Sequence, residues 1–254
     1  MAERNAATEI EILKVNTGRL DVHLLGDTPI ILNRLSEKVM RELLMPKGRK
    51  TAADKASNLK HIPMDEFNAS PYTDRDPNGP TYIQHLAGAF KKALMTAAVD
   101  IPGAAKAQVG RLTWVIGDRV SIYGIPEILL SPVRSADMNR TPDIRSRAII
   151  RHWACKFQIA FVTPLLKPQG IANLLASAGL TQGVGDWRPQ KGAGSYGQFS
   201  LVEADDPRFV KIIETGGRAA QIGAAAVDPH HALVRRADLA IGVFQDEVRL
   251  AHTG

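Results

Sequence analysis

Apolar and polar positions alternate early in the chain: Ile10 and Ile12, then Leu20, Val22 and Leu24, with Asp21 and His23 between. A period of two predicts a strand with one buried face over residues 10–25, interrupted at Thr17-Gly18. Gly26-Asp27-Thr28-Pro29 closes it. Ser36 then caps a predicted helix with Glu37 in its first turn and an apolar stripe of Val39, Met40, Leu43 and Leu44 before Pro46. From Lys47 to Pro80 regular pattern fades, and a stretch of that length reads as a functional or irregular insertion. Ile83, Leu86, Phe90, Leu94 and Ala97 step by three and four, which predicts a helix with Lys91 and Lys92 on its open side. Leu112–Ile116 and Arg119–Tyr123 flank Gly117-Asp118, the pattern of a hairpin closed by a type II′ turn. Its second strand is expected to run on to Leu130, bent at Gly124 or Pro126.

Residues 131–147 form a polar excursion with two prolines. Trp153, Cys155, Phe157, Ile159 and Phe161 alternate with smaller or polar residues and predict another strand. Pro168 opens a helix carrying Ile171, Leu174, Leu175 and Ala178, which Gly179 is expected to close. A glycine-rich stretch to Gly197 leads into a last strand at Phe199-Ser200-Leu201, and beyond Pro207 the pattern supports one short helix and an Ala/Gly-rich tail. No internal repeat is visible. Stripped of insertions, the order is strand, helix, hairpin, strand, helix, strand. That predicts an α+β fold close to the βαββαβ plan of RRM-like and ferredoxin-like domains. The expected organisation is a core over 1–207, which includes the inserted region 46–80 and the Arg-rich segment 131–147, followed by an extension over 208–254.

Composition narrows the class. The chain has 254 residues, 44% of them hydrophobic, enough for one large domain and too apolar for wholesale disorder. No apolar run reaches membrane-spanning length and the first 25 residues lack a secretory h-region, so a cytoplasmic protein is expected. One cysteine, Cys155, excludes a disulfide framework, and its place on the apolar face of a strand predicts a buried, inert thiol. His152 is expected to pack ordinarily.

Net charge is +6, and it is unevenly placed. Seven Lys/Arg between Lys38 and Lys60 face Glu42 and Asp54; five Arg between Arg134 and Arg151 face Asp137 and Asp143. Concentrated basic segments on a neutral body suit a phosphate backbone, with solvated surface charge as the plainer reading. Lys47, Arg49 and Lys50 are the phosphate-contact candidates of the first segment. In the second they are Arg134, Arg140, Arg145, Arg147 and Arg151, whose guanidinium groups bind phosphate bidentately and stack on bases.

The stretch Gly183–Gly197 is neither a Walker loop, since Lys191 is followed by Gly192, nor a dinucleotide fingerprint, since a strand follows it. Its Trp187, Arg188, Lys191 and Tyr196 would supply stacking and phosphate contacts. The plainer reading is a wide turn whose aromatics pack on the sheet. Asp228-Pro229-His230-His231 lacks the spacing of a metal site, and no metal or other cofactor is expected. No nucleophile elbow, HExxH or paired-carboxylate motif appears.

Gly183-Val-Gly-Asp-Trp-Arg-Pro189 and Gly194-Ser-Tyr-Gly-Gln-Phe199, with Gly26-Asp-Thr-Pro-Ile30 and Ser36-Glu-Lys38, resemble a signature of bacteriophage-encoded proteins. Over about residues 10–203 the plan also resembles the RAMP superfamily, in particular the repeated backbone subunit of CRISPR effector complexes. That resemblance implies an RRM-like core, a finger-like insertion at Lys47–Pro80, a protruding thumb at Arg134–Arg147, and Gly183–Gly197 lying under RNA. It implies copies polymerised along a guide RNA beside other effector-complex subunits, in the host cytoplasm if the chain is phage-encoded. The expectation is a non-catalytic, homo-oligomeric binder of RNA or single-stranded DNA. Two alternatives stay open: a phage assembly or host-interaction protein with an acidic partner, and a metal-dependent nuclease using Asp137.

Overall fold

The computed structural model describes residues 13–35, 40, 44, 63–134, 142–191 and 194–226. Ten strands and six helices lie among them. The strands are β1 Asn16–Gly26, β2 Ile30–Leu32, β3 Tyr72–Thr73, β4 Ile83–Leu86, β5 Thr113–Val115, β6 Arg119–Tyr123, β7 Pro126–Arg134, β8 Pro142–Ile150, β9 Ala154–Thr163 and β10 Phe199–Leu201. The helices are α1 Pro63–Ala69, α2 Ala87–Ala97, α3 Lys106–Leu112, α4 Pro168–Thr181, α5 Pro207–Thr215 and α6 Arg218–Ala226.

The chain builds a mixed α/β fold on an antiparallel sheet. β1 and β9 pair along ten residues, from Asn16 with Thr163 to Leu25 with Ala154, and form its centre. Strand order is β10-β1-β9-β6-β4-β3, with β5 also on the β9 edge. Alternation then sorts the side chains. Val22 and Leu24 of β1 and Cys155, Ile159 and Phe161 of β9 enter the main core with Phe90, Leu94 and Ala97 of α2 and Ile171, Leu175 and Ala178 of α4. Leu25 and Ala154 point the other way and meet Phe209 of α5, with Ile212 and Ile213 beside them. Helices α2 and α4 thus cover one face of the sheet, and α5 covers one end of the other. A second sheet, β2-β8-β7, adds Ile30, Leu32, Ile128, Ala148 and Ile150 to the main core.

Several expectations are corrected. β1 is not interrupted at Thr17-Gly18; Gly18 pairs with Phe161, and a side chain there would lie 2.7 Å from that ring. The hairpin expected at 112–123 does not form. β5 and β6 both pair with β9, with the register shifted by three residues between them and Gly117 at φ 87° in the intervening bulge. A long neighbouring strand satisfies both runs, so the Gly-Asp pair relieves register and does not reverse the chain. Ile83 and Leu86, in phase with the helix that follows, are strand, because β4 pairs with β6 through Gln84–Ser121 and His85–Val120. Gly179 does not end α4, which continues to Thr181. It faces the carbonyl of Phe199, where a methyl group would collide, so it sets how closely α4 lies on β10.

The irregular stretch 47–80 contains α1 and β3, a helix of seven residues being too short to show a period. Two helices follow Pro207 where one was expected. His152 is exposed, not packed. The helix expected after Ser36 lies outside the described residues except for Met40 and Leu44, which are helical.

The Arg-rich excursion has a regular stem. β7 and β8 pair from Pro126–Ile150 to Arg134–Pro142. Ser131 and Ser146 are buried in this stem, and α1 grips it: the Ser146 amide donates to Glu66 Oε2 at 3.0 Å, and the Ala148 amide to Ser70 Oγ at 2.8 Å. At the other end α6 is stitched to the sheet by Gln221. This fully buried side chain accepts from the amides of Tyr82 and Ile83 and donates to the carbonyls of Ile122 and Gly124. No helix among the described residues is long and apolar enough to cross a membrane.

Candidate nucleic-acid interface

Segment 183–197 leaves α4 and is clamped before it enters β10. The Val184 amide donates to the Gly197 carbonyl at 2.9 Å, and the Gly197 amide to the Pro29 carbonyl at 2.8 Å. At its centre the Asp186 amide donates to the Ile31 carbonyl of β2 at 2.9 Å. Gly185 makes this seam possible. Its φ is 86°, and a side chain there would come within 2.7 Å of the Ile31 carbonyl, so only glycine meets both demands.

This seam carries the Arg-rich stem to the glycine-rich segment, because β2 pairs with β8 on its other edge. Arg147 of β8 places Nη1 2.9 Å from Asp186 Oδ2, and Asn33 Nδ2 donates to the same oxygen at 2.9 Å. The Arg147 guanidinium also lies over the Trp187 ring, 5.8 Å from its centroid. Trp187 has φ 50°, a conformation that non-glycine residues adopt at a cost of about 1 kcal/mol. Its carbonyl accepts from the Tyr196 amide at 3.2 Å, and the two rings stand 6.2 Å apart. Trp187 nevertheless stays 39% exposed. A strained aromatic kept at the surface beside an arginine is a surface suited to a stacking ligand.

The other candidates are placed as follows. Arg188 donates to the Gly185 carbonyl at 2.8 Å and to Gln190 Oε1 at 3.0 Å, and Lys191 is exposed at the end of a short 3₁₀ turn. Arg145 lies 3.7 Å from Glu66, and Arg151 pairs with Glu127 at 3.1 Å. The backbone of Arg134 ends β7. Arg140, Lys47, Arg49 and Lys50 lie outside the described residues, as do Asp137 and Asp228-Pro229-His230-His231. The structure therefore brings together Arg147, Trp187 and Tyr196, with Arg147 paired to Asp186, and pairs Arg145 with Glu66 of α1 and Arg151 with Glu127 of β7. No metal-binding cluster of His, Cys, Asp or Glu occurs among the described residues.

Behind the segment lies a cleft of about 210 Å³ that the sequence did not reveal. Asn33, Tyr72, His85, Lys92, Arg188 and Lys191 line it with Asp186. Arg119 lies over the Tyr72 ring at 4.6 Å and Arg34 at 5.6 Å. Both ring nitrogens of His85 are buried and find no hydrogen-bond partner among the described residues, while its ring meets Phe90 edge-on at 6.0 Å. Burial, then the charge of Arg188, hold the His85 pKa down at about 4. Cys155 is fully buried, and burial pushes its thiol pKa up.

No protein-family model matches the chain, and no curated protein matches it. Among solved structures, it is similar to a chain of the Type III-B Cmr-beta complex bound to cognate target RNA, determined by cryo-electron microscopy. The likeness has a TM-score of 0.33 at 12% identity, over 74% of this chain and 59% of that one. This chain thus spans less than two thirds of the length of the chain it matches.

Proposed function

We propose that this protein is a non-catalytic binder of RNA or single-stranded DNA with a ferredoxin-like core of RAMP type, whose β7–β8 stem serves as a thumb. Support for the core comes from the order β10-β1-β9-β5/β6 with α2 and α4 on one face, which follows the βαββαβ plan. One observation carries the binding reading. Arg147 of the stem and Trp187 and Tyr196 of the glycine-rich segment, distant in sequence, meet at one place, where the Trp187 ring is exposed and the other two are half-buried. Trp187 and Tyr196 stack bases, and Arg147, Arg188 and Lys191 meet phosphates. Copies assembled side by side along the strand would bring each thumb to a neighbour's segment.

Binding of a fluorescent single strand, titrated against salt, tests this reading. Three phosphate contacts give a slope of log affinity against log salt of about −2. A flat plot, or no binding at low salt, overturns it. An acidic protein captured in place of the strand would identify the surface as a protein-binding one.

A further inference from the structure

The cleft behind segment 183–191 is built differently from the Trp187 surface, although the same segment forms a wall of both. Three cations, Lys92, Arg188 and Lys191, line it against one carboxylate, Asp186, which Arg147 and Asn33 already hold. That balance favours an anion and disfavours a metal ion. His85 is the second feature. A buried imidazole whose nitrogens both lack partners leaves hydrogen-bonding capacity unused in a place where it is costly, and it lines this cleft. Helix α2 adds a third feature. Leu86 at its start offers no side-chain cap, and Leu86 and Ala89 of this first turn line the cleft, which brings the positive end of the helix dipole to it. Tyr72, overlain by Arg119, supplies a flat ring at the same cleft.

We propose that this cleft is a nucleotide-phosphate pocket, in which Lys92, Arg188 and Lys191 neutralise one phosphate group, His85 hydrogen-bonds it, and the Tyr72 ring walls the attached nucleoside. The inference rests on the nucleic-acid reading above and gives that surface a distinct subsite. With about 210 Å³, the cleft takes the phosphate and part of one nucleoside, not a run of nucleotides. That nucleotide arrives free or as one unit of a bound strand.

Binding also has a proton signature. The charged and titratable groups lining the cleft with His85 are Lys92 from α2, Arg188, Lys191 and Asp186 from the segment, and Tyr72 from β3. In the free protein burial and Arg188 favour the neutral imidazole. A phosphate among these cations offsets the charge of Arg188 and offers an acceptor to one ring nitrogen, so the imidazole takes up a proton more readily.

Inorganic phosphate, a nucleoside monophosphate and a fluorescent single strand should each be titrated into the full chain, with the His85 ring followed by NMR. The expected result is saturable monophosphate binding with an upward move of the His85 titration midpoint by about one unit. Lys191→Ala, at an exposed position, should weaken monophosphate binding about tenfold, the loss of one charge-assisted contact. His85→Gln should bind without the proton uptake. Competition between monophosphate and strand shows that the strand places a phosphate in the pocket; simultaneous binding shows that the occupant is a free nucleotide. The inference is overturned if monophosphate does not saturate, or if His85 titrates unchanged in its presence. Strand binding without monophosphate binding removes this pocket alone, whereas monophosphate binding without strand binding removes the nucleic-acid reading alone.

Discussion

Gln221 offers the sharpest test of how the C-terminal helices are held. Its side chain is fully buried and makes four bonds: Oε1 accepts from Tyr82 N at 2.8 Å and Ile83 N at 2.9 Å, and Nε2 donates to Ile122 O at 2.7 Å and Gly124 O at 3.0 Å. Gln221→Ala removes all four and leaves two amides and two carbonyls facing a small void. At about 1 kcal/mol net per bond the loss is about 4 kcal/mol, a large share of the 5–15 kcal/mol by which domains are stable. Gln221→Glu is a finer probe. It keeps the acceptor for Tyr82 and Ile83 but sets a second carboxylate oxygen against the two carbonyls, so it is tolerated only when protonated. Its stability deficit should therefore grow as pH rises through the carboxylate range. Urea unfolding followed by far-ultraviolet circular dichroism measures both, with Ile222→Ala, next door but 46% exposed, as the control expected within about 0.5 kcal/mol. An Ala variant as stable as the control would refute the assignment of these bonds as the clasp of α6.

Other outcomes follow from the same geometry. Because the His85 pKa falls from 6.5 to about 4 on folding, the unfolded chain binds the extra proton between those values, so stability is full above pH 6.5 and declines as pH falls toward 4. That loss is up to about 3 kcal/mol and should vanish in His85→Gln, as read by urea unfolding at stepped pH. Arg147→Ala should weaken single-strand binding about tenfold and reduce its salt dependence, while costing no more than about 2 kcal/mol of stability, since Asn33 still holds Asp186. A larger loss of stability would make Arg147 structural. Cys155, fully buried with its thiol pKa raised, should react with a thiol reagent only at the rate of unfolding, and fast labelling of the native protein would contradict its burial.

Much of the framework was legible because long elements carry their period openly. The alternation that builds β9 runs without a break from Trp153, just before the strand, to Phe161, and Pro168 starts α4 where a proline is tolerated. Errors arose where a local signal had two physical solutions. Gly117-Asp118 serves equally for a turn or a bulge, and the length of β9 decided between them. Ile83 and Leu86 fit the helical phase of α2, yet the partner strand β6 claimed them. At the candidate site the sequence pointed to Trp187, Arg188, Lys191 and Tyr196 because they crowd one glycine-rich segment, and to Arg147 because arginines cluster there. It gave no pointer to Asn33, Tyr72, His85 or Arg119. These are single residues on separate elements, and only the sheet order makes them neighbours.

Strand β2 is only three residues long, yet Ile31 faces Ile149 of β8 on one edge and Asp186 on the other. It is a splice joining the arginine-bearing arm to the tryptophan-bearing segment through main-chain bonds. The spacing between the two backbones that carry guanidinium and indole is then fixed by peptide geometry, so side chains on either part can be exchanged without shifting one backbone against the other.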